Sequence, residues 1–139
     1  MTTTIATQIR ATYDGQQHCT VVQGSNGKTL ALDCPYTGGG NEFSPGNLVG
    51  AGLAGCVLLS MGTLAQRSEL DITGTEVGVD LSMTDKPEPR IDAIHITVNM
   101  PSDFAEKDRQ RLERAAAACP IKHSFRSEVT ISTEFSYPD

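Results

Sequence analysis

Positive charge is scarce in this chain. Its 139 residues carry eleven Lys and Arg against seventeen Asp and Glu, a formal net charge of −6, and the basic residues are scattered. A phosphate backbone asks for a basic face, so nucleic acid is excluded as the expected partner. A secretory leader is also lacking, because no basic patch followed by an apolar run and a small-residue cleavage site opens the chain; the expectation is an intracellular, cytoplasmic protein. The four cysteines, Cys19, Cys34, Cys56 and Cys119, contain no C-x-x-C pair. In a reducing compartment that excludes a structural disulfide framework, and the combination His18, Cys19 and Cys34 lacks the closely spaced pairs of a zinc site. No metal and no cofactor is expected.

Charge of either sign is missing between Glu42 and Arg67. Ser44 suits a helix N-cap and Pro45 the first helical position, so Ser44 to Ala65 reads as a helix. Leu48 to Ala65 is just long enough to span a membrane. It is glycine-rich, carries Ser60 and Thr63 and has no basic flanks, so no membrane partner is expected. Its apolar residues fall on every side, which predicts a central helix sheathed by the rest of the fold. Gly50, Gly52 and Gly55 each cost about 0.8–1 kcal/mol against Ala, and close approach of another backbone is the expected offset. Cys56, in the middle of the helix, reads either as an inert buried thiol or as a reactive one.

Around that helix the periodicities are clear. Residues 3 to 13 alternate as a strand, Asp14-Gly15 supplies a turn, and His18 to Gln23 and Thr29 to Asp33 complete an antiparallel meander. The Gly27-Lys28-Thr29 run is not a phosphate loop, because Val22 stands where its first glycine belongs and a strand follows. Cys34 to Phe43 is a loop. Thr75 to Met83 and Arg90 to Met100 alternate as a hairpin, with Val77, Val79, Leu81, Met83, Ile94, Ile96, Val98 and Met100 inward. A second helix starts at Pro101-Ser102; Leu112, Ala115, Ala116 and Cys119 form its apolar stripe, and Lys107, Arg109, Arg111 and Arg114 its wet face. Pro120 ends it, leaving Cys119 at the helix's negative end, where a thiolate is disfavoured. Val129 to Phe135 is a last strand. The whole reads as one α+β domain over residues 1–139, with mostly antiparallel sheet, a buried central helix and a second, amphipathic helix. So apolar a helix in so small a domain needs cover on two sides, and a second copy of the chain could supply it.

Phe43-Ser44-Pro45, the Ala/Gly-rich run ending in Cys56, and Cys119-Pro120-Ile121 after an amphipathic helix together resemble the OsmC/Ohr family. The order of elements agrees over nearly the whole chain. The resemblance implies an intertwined homodimer with active sites at its interface, and an enzyme that reduces organic hydroperoxides or hydrogen peroxide. It implies Cys56 as the peroxide-attacking thiol, Cys119 as the resolving one, and a dithiol reductant. Family peroxidases hold the thiolate with an arginine and orient that arginine with a glutamate following the helix-starting proline. Here that position is Gly46, and no arginine lies between Arg10 and Arg67. Arg10, with Glu42 as partner, is the candidate activator, because a mid-helix cysteine in apolar surroundings should otherwise have a raised pKa. The departure leaves a second reading, a non-catalytic OsmC-like dimer that senses redox state or binds a small apolar ligand.

Overall fold

The stretch read as an alternating first strand does form one, but over residues 9–14 both of its faces are exposed, Ile9 at 57% and Tyr13 at 61% included. The computed structural model describes residues 8–139, and the chain forms two compact units, Met1–Leu48 and Val49–Asp139. Residues 3–7 of the expected first strand lie outside the described residues.

In the first unit, β1 (Ile9–Gly15), β2 (His18–Gln23) and β3 (Thr29–Asp33) form an antiparallel sheet in that order. The first turn differs from expectation. Asp14 and Gly15 stay in β1, and the reversal falls on Gln16 and Gln17, at φ 55° and 64°. A register shift between Tyr13 and Gly15 absorbs the extra length, and the Tyr13 hydroxyl accepts the Gln17 N–H at 3.3 Å. A left-handed pair of this kind matches the twist of the strands it joins. The Cys34–Phe43 loop is tied back through Asp33, which is buried: its N–H donates to the Phe43 carbonyl at 3.1 Å and its Oδ2 accepts from the Asn41 N–H at 2.8 Å. His18 Nε2 adds a bond to the Gly38 carbonyl at 2.6 Å.

Helix α1 (Pro45–Arg67) starts as its sequence implies, with Ser44 Oγ accepting the Asn47 N–H at 3.1 Å. It is not sheathed on all sides. Leu53, Val57, Met61 and Ala65, four residues apart, form a buried stripe, while Leu59 is 75% exposed and Val49 41%. Nor do its glycines admit another backbone among the described residues. A Cβ at Gly50 would meet the side chains of Val79 and Leu81 at 3.6–3.8 Å, and one at Gly52 or Gly55 would meet nothing within 4 Å.

The stripe packs in the second unit's core, whose sheet runs β4 (Glu76–Thr84), β5 (Arg90–Asn99), β6 (Thr130–Ser136). β4 and β5 are antiparallel, whereas β5 and β6 are parallel. The parallel pair follows from the crossover between them, which α2 (Glu106–Ala117) supplies. Ile94, Ile96, Val98 and Met100 point inward as expected; Met83 does not, because a register shift between Ser82 and Met83 leaves it 64% exposed. On the wet face of β5, His95 bonds Ser132 through Nδ1 at 2.7 Å.

α2 begins five residues later than Pro101-Ser102 suggested. Ser102 caps nothing among the described residues, and the 103–105 segment is held extended by Arg109, whose Nε donates to the Phe104 carbonyl at 2.8 Å and whose Nη2 pairs with Asp103. Arg109 is therefore not simply on a wet face. Its guanidinium lies 4.1 Å from the Tyr137 ring centroid, and Arg111 is half-buried against Ser68. The apolar stripe is as expected, with Leu112, Ala116 and Cys119 buried beside Leu53, Val57 and Met61.

Leu53 has no exposed surface; Leu53→Ala should cost about 2–5 kcal/mol in urea unfolding, by lost burial and cavity formation. Met83→Ala should stay within about 0.5 kcal/mol, since Met83 faces solvent.

Candidate functional site

Two helices bring Cys56 and Cys119 together. α1 presents Cys56 beside its buried stripe, so the sulfur is half-buried and borders a groove of about 500 Å³ lined by Gly52, Gly55, Leu59, Ser60, Thr63 and Pro120, among others. The apolar stripe of α2 runs on into Cys119, which is completely buried one residue past the helix cap at Ala118. Pro120 then stops the helix, and the chain folds into a short 3-10 turn, Lys122–Ser124. That reversal keeps the Ile121 and Lys122 backbone groups beside the sulfurs. His123 Nε2 closes it with a bond to the Ala117 carbonyl at 2.9 Å.

The two thiols are neighbours close enough for each to shift the other, and their environments drive them apart. Burial pushes the Cys56 thiol up, but bonds from the Cys119 thiol, the Ile121 N–H and the Ser60 hydroxyl together hold it below the ordinary cysteine value. This reverses the rise expected of a mid-helix cysteine: three neutral donors outweigh the desolvation. For Cys119, burial and the bond to Cys56 push the thiol up, against bonds from the Lys122 and Ile121 backbone. Cys56 is thus the thiolate-prone partner and Cys119 the one that keeps its proton. A thiolate is the reactive form of cysteine, and a neighbouring thiol can later close a disulfide on it.

Arg10 and Glu42 both belong to the first unit. Arg10 lies exposed on β1, its guanidinium beside the Gln8 side-chain amide. Glu42 lies exposed in the loop before α1. Arg10 and Glu42 form no ion pair with each other among the described residues. His18 and Cys19, adjacent on β2, point to opposite faces, and no group of three His, Cys, Asp or Glu converges as a metal site among the described residues. Sequence reasoning missed Ser60 and the Ile121 N–H. Ser60 was findable, since it stands four residues after Cys56 on one helix face; the Ile121 bond depends on how the chain turns after Pro120.

Residues 38–134 match the family model described as OsmC-like protein. No curated protein matches the chain. Among solved structures, a protein provisionally named an osmotic stress induced and detoxification response protein, from Psychrobacter arcticus 273-4, superposes with a TM-score of 0.86 at 24% identity, covering 98% of each chain. An OsmC like protein from Mycoplasma pneumoniae gives 0.85 at 17% identity, over 97% of this chain and 99% of the other. The organic hydroperoxide resistance protein OhrB of Bacillus subtilis gives 0.72 at 20%, over 95% and 98%. At these identities the likenesses establish the fold.

Ser60 bonds the Cys56 sulfur from one turn away. Ser60→Ala should therefore move the midpoint of the Cys56 alkylation–pH profile upward and slow iodoacetamide labelling at pH 7 severalfold, while leaving the limiting rate at high pH unchanged. An unchanged midpoint would remove Ser60 from the activating set.

Proposed function

This chain belongs to the OsmC-like protein family, and on that footing we propose that it is a thiol-dependent peroxide reductase, one domain over residues 1–139, acting through Cys56 and Cys119. The observation that carries the reading is the pairing of Cys56 with Cys119 from two different helices, the first bordering a groove and the second buried behind it, with their acidities driven apart. The Cys56 thiolate attacks an oxygen of the hydroperoxide; the O–O bond breaks, the alkoxide leaves and takes a proton to become the alcohol, and Cys56 becomes a sulfenic acid. The Cys119 sulfur then attacks the Cys56 sulfur, giving up its proton as hydroxide leaves, so that water and a disulfide result. An external dithiol reduces that disulfide and is itself oxidised. Organic hydroperoxides are the preferred class, because the groove is walled by backbone, Leu59 and Pro120.

The proposal includes a homodimer. Leu59 and Val49 lie exposed on the same helix as the site, and a second copy laid over that face would remove both from water. Thiolate activation rests on Cys119, Ile121 and Ser60; the role that the family resemblance gives to Arg10 with Glu42 predicts instead that Arg10→Ala raises the Cys56 profile more than Ser60→Ala does.

One equivalent of cumene hydroperoxide added to reduced protein should yield a Cys56–Cys119 disulfide on peptide mapping. Cys119→Ser should stop at a dimedone-reactive sulfenic acid on Cys56, and Cys56→Ser should leave Cys119 reduced. Equal, slow loss of Cys119 thiol in the wild type and Cys56→Ser would instead favour the non-catalytic, ligand-binding reading. In sedimentation at micromolar concentration the protein should run as a dimer, and a monomer would remove the second copy from the proposal.

A further inference from the structure

The first unit holds two more thiols on one wall of a cavity. Cys19 on β2 stands directly opposite Leu32 on β3, and Cys34 follows two residues after Leu32, so Cys19 and Cys34 project from the same face of the sheet on a diagonal. Tyr13 on β1 stands opposite Cys19 and shares that face. These residues, with Pro35 and Tyr36, line a cavity of about 300 Å³. Its size and apolar walls suit the body of a small organic molecule. The peroxide mechanism above uses neither thiol.

We propose that Cys34 and Cys19 form a second redox dithiol, in which Cys34 is oxidised by an organic hydroperoxide held in this cavity and Cys19 resolves it. Cys34 is the attacking partner: the Thr37 hydroxyl and the Tyr36 and Thr37 N–H groups beside its sulfur hold the thiol below the ordinary cysteine value, against burial and the neighbouring Asp33 carboxylate, which also lines the cavity. Cys19 is the neighbour that can condense with it. Diagonal positions across an antiparallel pair lie about 7–8 Å apart, just beyond the reach of a disulfide without backbone movement. Cys34 is the first residue beyond β3, and past it the chain continues as the turn in which Gly38 N–H bonds the Cys34 carbonyl at 2.8 Å. Closing the remaining gap therefore distorts the end of a ladder and not its middle.

The step balances as the first one does. The Cys34 thiolate takes one oxygen of the hydroperoxide and releases the alcohol; Cys19 then gives up its proton, the S–S bond forms and water leaves. The disulfide would pin β2 to the start of the segment that runs from Cys34 to the cap of α1 at Ser44. The proposal takes its oxidant class from the peroxide reading, so the experiment separates the two.

Three reduced full-length proteins are treated with two equivalents of cumene hydroperoxide, one for each proposed disulfide, quenched with N-ethylmaleimide and mapped: wild type, Cys56→Ser/Cys119→Ser and Cys19→Ser/Cys34→Ser. The second should lose two thiols and yield a Cys19–Cys34 peptide within one chain, and the same peptide should appear in the wild type. Adding Cys34→Ala to that background should slow oxidation of Cys19 at least tenfold, and adding Cys19→Ala should leave a dimedone-reactive sulfenic acid on Cys34. The inference is overturned if Cys19 and Cys34 stay reduced in the wild type and in the Cys56→Ser/Cys119→Ser protein, if Cys19 oxidises as fast without Cys34, or if the link joins two chains. Failure of the peroxide reading shows separately, as Cys56 and Cys119 staying reduced in Cys19→Ser/Cys34→Ser.

Discussion

Everything at the Cys56 site depends on the docking of one helix stripe on another. Leu112, Ala116 and Cys119 of the α2 segment share a core with Leu53, Val57 and Met61 of α1. The fit is apolar throughout, so its strength scales with area removed from water, about 25 cal/mol per Å². What it delivers is directional. Because Cys119 is the last member of its stripe and Cys56 flanks the other, the same burial that stabilises the unit sets two sulfurs, far apart in sequence, within hydrogen-bonding reach. Buried in this way, Cys119 keeps its proton and can donate; Cys56, half-buried, accepts.

In the proposed site, neutral donors take the place that a cation would otherwise hold. A guanidinium beside a thiolate acts over several ångströms, whereas a neutral donor must sit within contact distance and point at the sulfur. Three such groups lower the Cys56 thiol, and each has a different origin: a helical neighbour at Ser60, a backbone N–H exposed by the turn after Pro120, and the partner thiol itself. The arrangement is self-consistent in a redox site. Once Cys119 bonds covalently to Cys56 its S–H donor is gone, together with the charge it served.

Elements with a single strong period were legible from the sequence, and so was the order in which they follow. β2 and β3 lie where the runs bounded by turn residues placed them, and the Ser44-Pro45 start of α1 is observed as a capped helix. What escaped was set by side chains reaching across. Pro101-Ser102 resembles a helix start, yet Arg109, a full turn into α2, bonds back to Phe104 and Asp103 and keeps that stretch extended. Gln16 and Gln17 are poor turn formers by type, and the Tyr13 hydroxyl with the Gly15 irregularity makes the reversal fall on them. Met83 kept its alternation in the sequence but lost it to one register shift. The candidate cysteines could be named from their motifs. Cys119 could also be ranked the weaker thiolate from its place at the helix end; that Cys56 falls below the ordinary cysteine value could not be foreseen, since Ile121 comes beside the sulfur only after the chain has turned.

The small residues of α1 carry the remaining step. Gly52 and Gly55 each lower helix stability by about 0.8–1 kcal/mol relative to Ala, and no neighbour among the described residues occupies the space their missing side chains leave. On packing grounds alone Ala would serve better at both. Their position resolves the conflict: both line the groove that Cys56 borders, with Leu59 and Pro120 as its bulkier walls. A side chain at either place would narrow the approach to the sulfur or to anything laid across that helix face. The same stretch therefore meets two opposed demands, a stripe of large residues to hold α2 and a bare flank to leave one sulfur reachable. A helix can satisfy both only because its two faces are independent.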